Sequence, residues 1–175
     1  MNWNVKLFFK INGFVHKNHW LDAFGRAGAE WAIVAMTGWF SASVFIERWP
    51  SRRAAMLFLA WTLLVWLVGW LIDIGIGYLA HEPRPHITYP ESRLLFTPMQ
   101  KWKSFPSDHA MAAWLMVFLA NLARLPGAIA LFPLALWVSW GRVYAGVHYP
   151  GDILGGLVMA GLAAGVSHFA LASFF

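Results

Sequence analysis

Four stretches of the chain, Trp31–Ile46, Met111–Ala123, Leu125–Gly141 and Ile153–Phe175, contain no formally charged side chain, and a fifth, Ala54–Ala80, contains only Asp73. The hydrocarbon core of a bilayer takes about 20 apolar residues per helix, and every backbone N–H and C=O inside it must be paired within the protein. These stretches predict an all-α integral membrane protein with five spans, at about 27–46, 54–79, 107–123, 126–143 and 152–174. Composition agrees, with 12% charged residues where a soluble domain carries about 25%. The 17% aromatic content, 12 Trp included, excludes a disordered chain. No internal repeat is visible, so residues 1–175 read as a single domain.

Residues 1–26 follow a different pattern. Leu7, Phe8, Ile11, Phe14 and Val15 fall at helical spacing with Lys6, Lys10 and Lys17 between them, which predicts an amphipathic helix lying in the membrane interface. The net charge is +5, but its 13 Lys and Arg are scattered through connecting segments with no dense basic stripe. Nucleic acid is therefore excluded as a partner, and membrane lipid or phosphate is the anionic partner expected. The absence of Cys removes disulfides, thiolate metal sites and a Cys nucleophile.

The long polar insertion, 81–106, holds five of the nine prolines, and a loop of that length in a compact protein is usually functional. If spans alternate, this loop and the one after the fourth span emerge on one face, together with the N-terminal ends of the third and fifth spans. Every polar cluster lies there: Glu82-Pro83-Arg84-Pro85, then Phe105-Pro106-Ser107-Asp108-His109, then Gly141-Arg142 followed by His148 and Asp152. The opposite face carries Glu47, Arg48, Arg52, Arg53 and Arg124. Those arginines favour the cytoplasm for that face, although the polar face has more basic residues and charge counting alone does not fix orientation.

The chemistry of the three clusters is complementary. Arg84 and Arg142 supply forked donors suited to phosphate oxygens. His109 and His148 can act as acid and nucleophile, and Asp152, four residues after His148, can orient its ring. Ser107 is a good N-cap for the third span and Pro150 fits the first turn of the fifth, so two helix N-termini point at the same place, where their dipoles favour an anion. The clusters predict a phosphate cradle at the membrane surface.

Arg84-Pro85, Pro106-Ser107-Asp108-His109, and Arg142 with His148 and Asp152 at the observed spacing resemble the type 2 phosphatidic acid phosphatase superfamily over about residues 70–160. The resemblance implies that His148 attacks phosphorus and forms a phosphohistidine while Asp152 holds its ring. It further implies that His109 protonates the leaving group, that Arg84, Arg142 and Ser107 bind the phosphoryl oxygens, and that neither metal nor cofactor is needed. Three positions depart from the family pattern: Gly77 stands where the first motif begins with Lys, Asp108 replaces a Gly, and Gly141 replaces a Ser. Lys101 or Lys103 could replace the missing cation. The Glu-Pro-Arg-Pro and Phe-Pro-Ser-Asp-His-Ala segments are similar to the bacitracin-resistance branch of undecaprenyl-diphosphate phosphatases. That branch implies a polyprenyl diphosphate substrate, a bacterial inner membrane and a site facing the periplasm or cell exterior. Loss of one cation is consistent with a diphosphate, whose leaving group has a second pKa of about 6, against about 15.7 for water, comparable with an alkoxide. Phosphatidic acid, phosphatidylglycerol phosphate and lipid A are the alternative substrates.

Other polar residues have plainer readings. His168 is a packing or snorkelling residue, and His16, His19 and His81 are interfacial. Asp73 and Glu30 either pair with basic residues or shape the site entrance. Trp20, Trp49, Trp102 and Trp140 fit an aromatic belt, and Gly155, Gly156 and Gly161 permit close helix packing. A bis-histidine haem protein would place His deep in facing spans. A proton-coupled transporter would show a broken helix or inverted repeat. Neither pattern is present in the sequence.

Overall fold

The computed structural model describes residues 2–47, 51–98 and 100–172. Arg48, Trp49 and the last residues of the fifth predicted span lie outside the described residues. The described residues form helices and connecting segments, in the order α1 (Trp3–Asn12), α2 (His19–Arg26), a π-helical turn (Ala27–Trp31), α3 (Ala32–Ile46), α4 (Arg52–Ala80), α5 (Pro85–Thr88), α6 (Asp108–Leu122), α7 (Ala128–Tyr144) and α8 (Pro150–Ala172).

The helical segments long and apolar enough to cross a membrane are three among the described residues: His19–Ile46, Arg52–Thr88 and Pro150–Ala170. The helices α6 and α7 are apolar but shorter, at 15 and 17 residues. Nearly every side of α6 is buried, from Ala110 and Met111 through Trp114, Leu115 and Val117 to Ala120. A helix apolar all round belongs inside a bundle, and α3, α4, α7 and α8 enclose this one. The outer faces of α4 and α8 instead expose Leu57, Leu64, Leu71, Leu154, Leu162 and Phe169. Such faces suit a hydrocarbon surround.

The N-terminal segment differs from the single helix predicted for 1–26. It forms two helices, because Asn18 caps α2 by accepting from the Trp20 and Leu21 amides while His16 takes a left-handed conformation at φ 63°. One face of α1, Val5, Phe8 and Asn12, is buried in the protein, whereas Lys6 and Lys10 are exposed. The Asn12 side chain donates to the carbonyls of Arg93 (2.7 Å) and Tyr144 (2.8 Å) and accepts from the Arg93 amide (2.8 Å). It thereby joins the polar loop to the end of α7. The adjoining Gly146 has φ 80°, and a Cβ there would lie 2.3 Å from the Arg93 carbonyl oxygen, so only glycine fits.

The 27–46 span also departs from a plain α-helix, since its first five residues form the π turn. Gly28 and Ala29 lie against Gly141 of α7 so closely that a Cβ on Gly141 would come within 2.6 Å of the Ala29 nitrogen. Small residues let the backbones approach, and the approach brings the Ala29 carbonyl to the Arg142 side chain. Such π turns often occur at functional sites.

Candidate active site

A cavity of about 510 Å³ opens at the start of α6 and is lined by Arg84, Asp108, His109, Arg142 and His148. Three separate sequence segments thus meet on one wall. The cavity also touches Glu30, Ile33, Trp66 and Trp70. The two tryptophans sit about 15–20 Å before the end of α4 by helical rise, so the cavity runs from the polar loop down into the bundle. At about 22 Å, α6 is shorter than the hydrocarbon thickness of about 30 Å.

His148 stands in the connection between α7 and α8 and is almost wholly buried. Its Nδ1 faces the Ser104 carbonyl at 2.9 Å and Asp152 Oδ2 at 3.3 Å, both acceptors. Nδ1 therefore carries the hydrogen, and the lone pair is left on Nε2. The Arg84 guanidinium lies 3.1 Å from that Nε2 and donates a second bond, of 2.7 Å, to the Val147 carbonyl. Burial, reinforced by the Arg84 and Arg142 guanidinium groups, pushes the His148 imidazole well below its ordinary 6.5. It is neutral at physiological pH, as a nitrogen nucleophile must be.

Asp152 sits one helical turn beyond His148 at the start of α8, with no exposure to solvent. Its Oδ2 accepts from the Tyr149 amide at 2.8 Å and from the Ser104 hydroxyl, while its backbone carbonyl accepts from the Ser107 amide at 3.1 Å. Ser104 therefore holds both members of the pair: the carbonyl holds His148 and the hydroxyl holds Asp152. Sequence reasoning missed this residue, and no spacing signal marks it, because its partners lie 44 and 48 positions away.

The two arginines approach from different helices. Arg84 is placed by Pro85 at the first position of α5. Arg142 near the end of α7 donates to the Ala29 carbonyl at 3.2 Å and stacks over the Phe96 ring at 5.7 Å. The Nε atoms of both are buried without a hydrogen-bond partner among the described residues.

Ser107 lies behind the cavity wall. Its hydroxyl caps α6 by accepting from the Ala110 amide at 3.5 Å, and the residue is fully buried. Glu30 reaches the cavity and pairs with Arg26 at 3.8 Å. Asp73 is enclosed on α4 near Lys103, whose ammonium contacts its carbonyl at 3.4 Å. His16, by contrast, pairs with Asp22 at 3.8 Å, and His168 is exposed on α8, so neither joins the site.

Residues 59–172 match the PAP2 superfamily. The chain is 31% identical over 160 residues to undecaprenyl-diphosphatase BcrC of Bacillus subtilis, a match covering 90% of this chain and 78% of that protein. Its fold is similar to the crystal structure of Aquifex aeolicus LpxE, with a TM-score of 0.70 and 23% identity over 95% of each chain. A transmembrane PAP2 type phosphatidylglycerolphosphate phosphatase from Bacillus subtilis is also similar, with a TM-score of 0.58 and 20% identity, covering 98% of this chain and 95% of that one.

Proposed function

The chain belongs to the PAP2 superfamily of membrane lipid phosphatases, and we propose that it hydrolyses undecaprenyl diphosphate to undecaprenyl phosphate and orthophosphate, recycling a carrier lipid for cell-wall synthesis. The observation that carries the reading is the orientation of His148: Nδ1 held by Ser104 and Asp152, and Nε2 in the cavity beside Arg84.

In the proposed reaction the terminal phosphoryl group binds between the guanidinium groups of Arg84 and Arg142, at the start of α6. Binding draws the Arg84 guanidinium from Nε2 to phosphate and frees the lone pair. Nε2 then attacks phosphorus, the bond to the bridging oxygen breaks, and His109 gives that oxygen its proton. The product at this stage is phosphohistidine and undecaprenyl phosphate. Asp152 stabilises the charged ring and fixes its orientation. Water next attacks the phosphohistidine, returning a proton to His109 and releasing orthophosphate. No step calls for a metal.

Three points support the diphosphate lipid over its alternatives. The 31% identical relative is a diphosphatase of that lipid. A lipid phosphate leaves more readily than an alkoxide, which suits a clamp of two arginines. The cavity descends along Trp66 and Trp70, giving the start of an isoprenoid chain an apolar wall. In this reading five helices, α3, α4, α6, α7 and α8, cross a bacterial inner membrane, with the N-terminal segment at the interface and 81–106 forming the active-site loop. The exposed Arg52, Arg53 and Arg124 favour the cytoplasm for the opposite face, so the site faces the periplasm or cell exterior.

Phosphate release by the detergent-solubilised protein in EDTA tests the proposal, with undecaprenyl diphosphate, phosphatidic acid and phosphatidylglycerol phosphate compared. At least about tenfold higher kcat/KM for the diphosphate is expected, equal to about 1.4 kcal/mol of differential transition-state binding. Preference for a monophosphate would overturn the substrate.

A further inference from the structure

Lys103 is a cation of the site that the proposed chemistry leaves unused. Its exposure is 1%, less than the 3% of Arg84 and the 5% of Arg142. A buried ammonium is costly unless acceptors surround it, and Lys103 has three: Asp108 Oδ1 at 2.7 Å, and the carbonyls of Asp73 and Pro106 at 3.4 Å each. It ties α4, the polar loop and the first residue of α6 together at one point. The carboxylate of Asp73 faces the same region and has no hydrogen-bond partner among the described residues.

The route of the side chain is as informative as its end. The Lys103 stem crosses α4 at Gly77, where an added Cβ would lie 2.6 Å from Lys103 Cδ. The space that a side chain at position 77 would fill is occupied by a lysine arriving from the loop. Asp108, the partner of that lysine, lines the cavity directly before His109. An uncompensated carboxylate on that wall would repel the phosphoryl group that the arginines attract.

We propose that Lys103 is a positioning residue of the phosphate site, threaded over Gly77 to neutralise Asp108 and to pin the Pro106–Asp108 turn from which His109 faces the cavity. The inference rests on the phosphatase reading, whose own failure would appear separately as phosphate release that survives His148→Ala.

The test uses the purified full-length protein and whichever lipid phosphate it cleaves best, reading kcat, KM and the inhibition constant for orthophosphate. Lys103→Met is expected to raise KM and the orthophosphate constant at least about tenfold, with a smaller fall in kcat. Adding Asp108→Asn should return both constants to within about threefold of the parent, because the repelling carboxylate is then gone. Gly77→Ala, which retains the lysine but obstructs its stem, should move KM in the same direction, and Asp108→Asn should correct it as well. A merely structural ion pair would lower thermal stability and leave both constants of the folded enzyme within about twofold of the parent, and that result would overturn the proposal. Should Lys103→Met not fold, Gly77→Ala decides: an unchanged KM in the folded variant overturns the inference.

Discussion

At the scale of single residues, the site depends on which nitrogen of His148 carries hydrogen. Ser104 and Asp152 both present acceptors to Nδ1, and Ser104 also donates to Asp152. Ser104→Ala removes only the hydroxyl and leaves the carbonyl in place. The expected effect is a loss in kcat of about tenfold with little change in KM, since one of three bonds ordering the Asp152 carboxylate is lost. A KM change larger than the kcat change would argue against this role. The burial of neutral His148 also sets a pH dependence. Its folded value is depressed below 6.5, so the unfolded chain takes up this proton first. The associated stability is fully present above about pH 6.5 and is lost as pH falls below it, with a limiting slope of about 1.4 kcal/mol per pH unit. Thermal unfolding in detergent should show the parent losing stability relative to His148→Gln between about pH 7.5 and 5.5. Equal losses in both would contradict a buried neutral ring. Residue types and spacing singled out Arg84, His109, Arg142 and His148, which the structure places around one cavity, and Asp152, which it places against His148. Ser104 was not selected, because its role comes from where the loop passes in space, and Lys103 was named only beside Lys101 as a stand-in for the missing cation.

At the scale of elements, the apolar stretches predicted every long helix to within a few residues, since period and length suffice for segments of this size. The N-terminal break was less visible. Gly13 and Asn18 were available as cap signals, but the apolar spacing through Phe14 and Val15 carried the single-helix reading past them. The π turn had no comparable signal, because five residues cannot reveal a change of hydrogen-bond register. It lies where Ala29 and Gly141 approach closely. Asn12 illustrates the same limit, since nothing local shows that a polar residue on an amphipathic helix joins the active-site loop to α7. Asn12→Ala leaves the Arg93 and Tyr144 carbonyls and the Arg93 amide without their partner, and each buried polar group left unpaired costs about 1–3 kcal/mol. Partial access of water brings the expected total destabilisation to about 3 kcal/mol, measured by thermal unfolding, with activity lost at lower temperature than in the parent. A shift within about 0.5 kcal/mol would mean that α1 is not a structural brace for the loop.

At the scale of the whole molecule, a short and largely buried helix, α6, packs among α3, α4, α7 and α8, and the cavity at its start combines polar chemistry with an apolar wall. In the proposed reading that arrangement would bring the headgroup of a lipid to two arginines and two histidines while its chain stays among side chains of the bundle. The central claim is that phosphate passes through His148. It is tested most directly by incubating the protein with lipid substrate labelled in its terminal phosphate, quenching in denaturant at alkaline pH and locating the label by peptide mass spectrometry. The expected result is an alkali-stable, acid-labile phosphate on the peptide containing His148, absent in His148→Ala and prolonged when hydrolysis is slowed by His109→Ala. Sustained phosphate release by His148→Ala, or a label on any other residue, would contradict it.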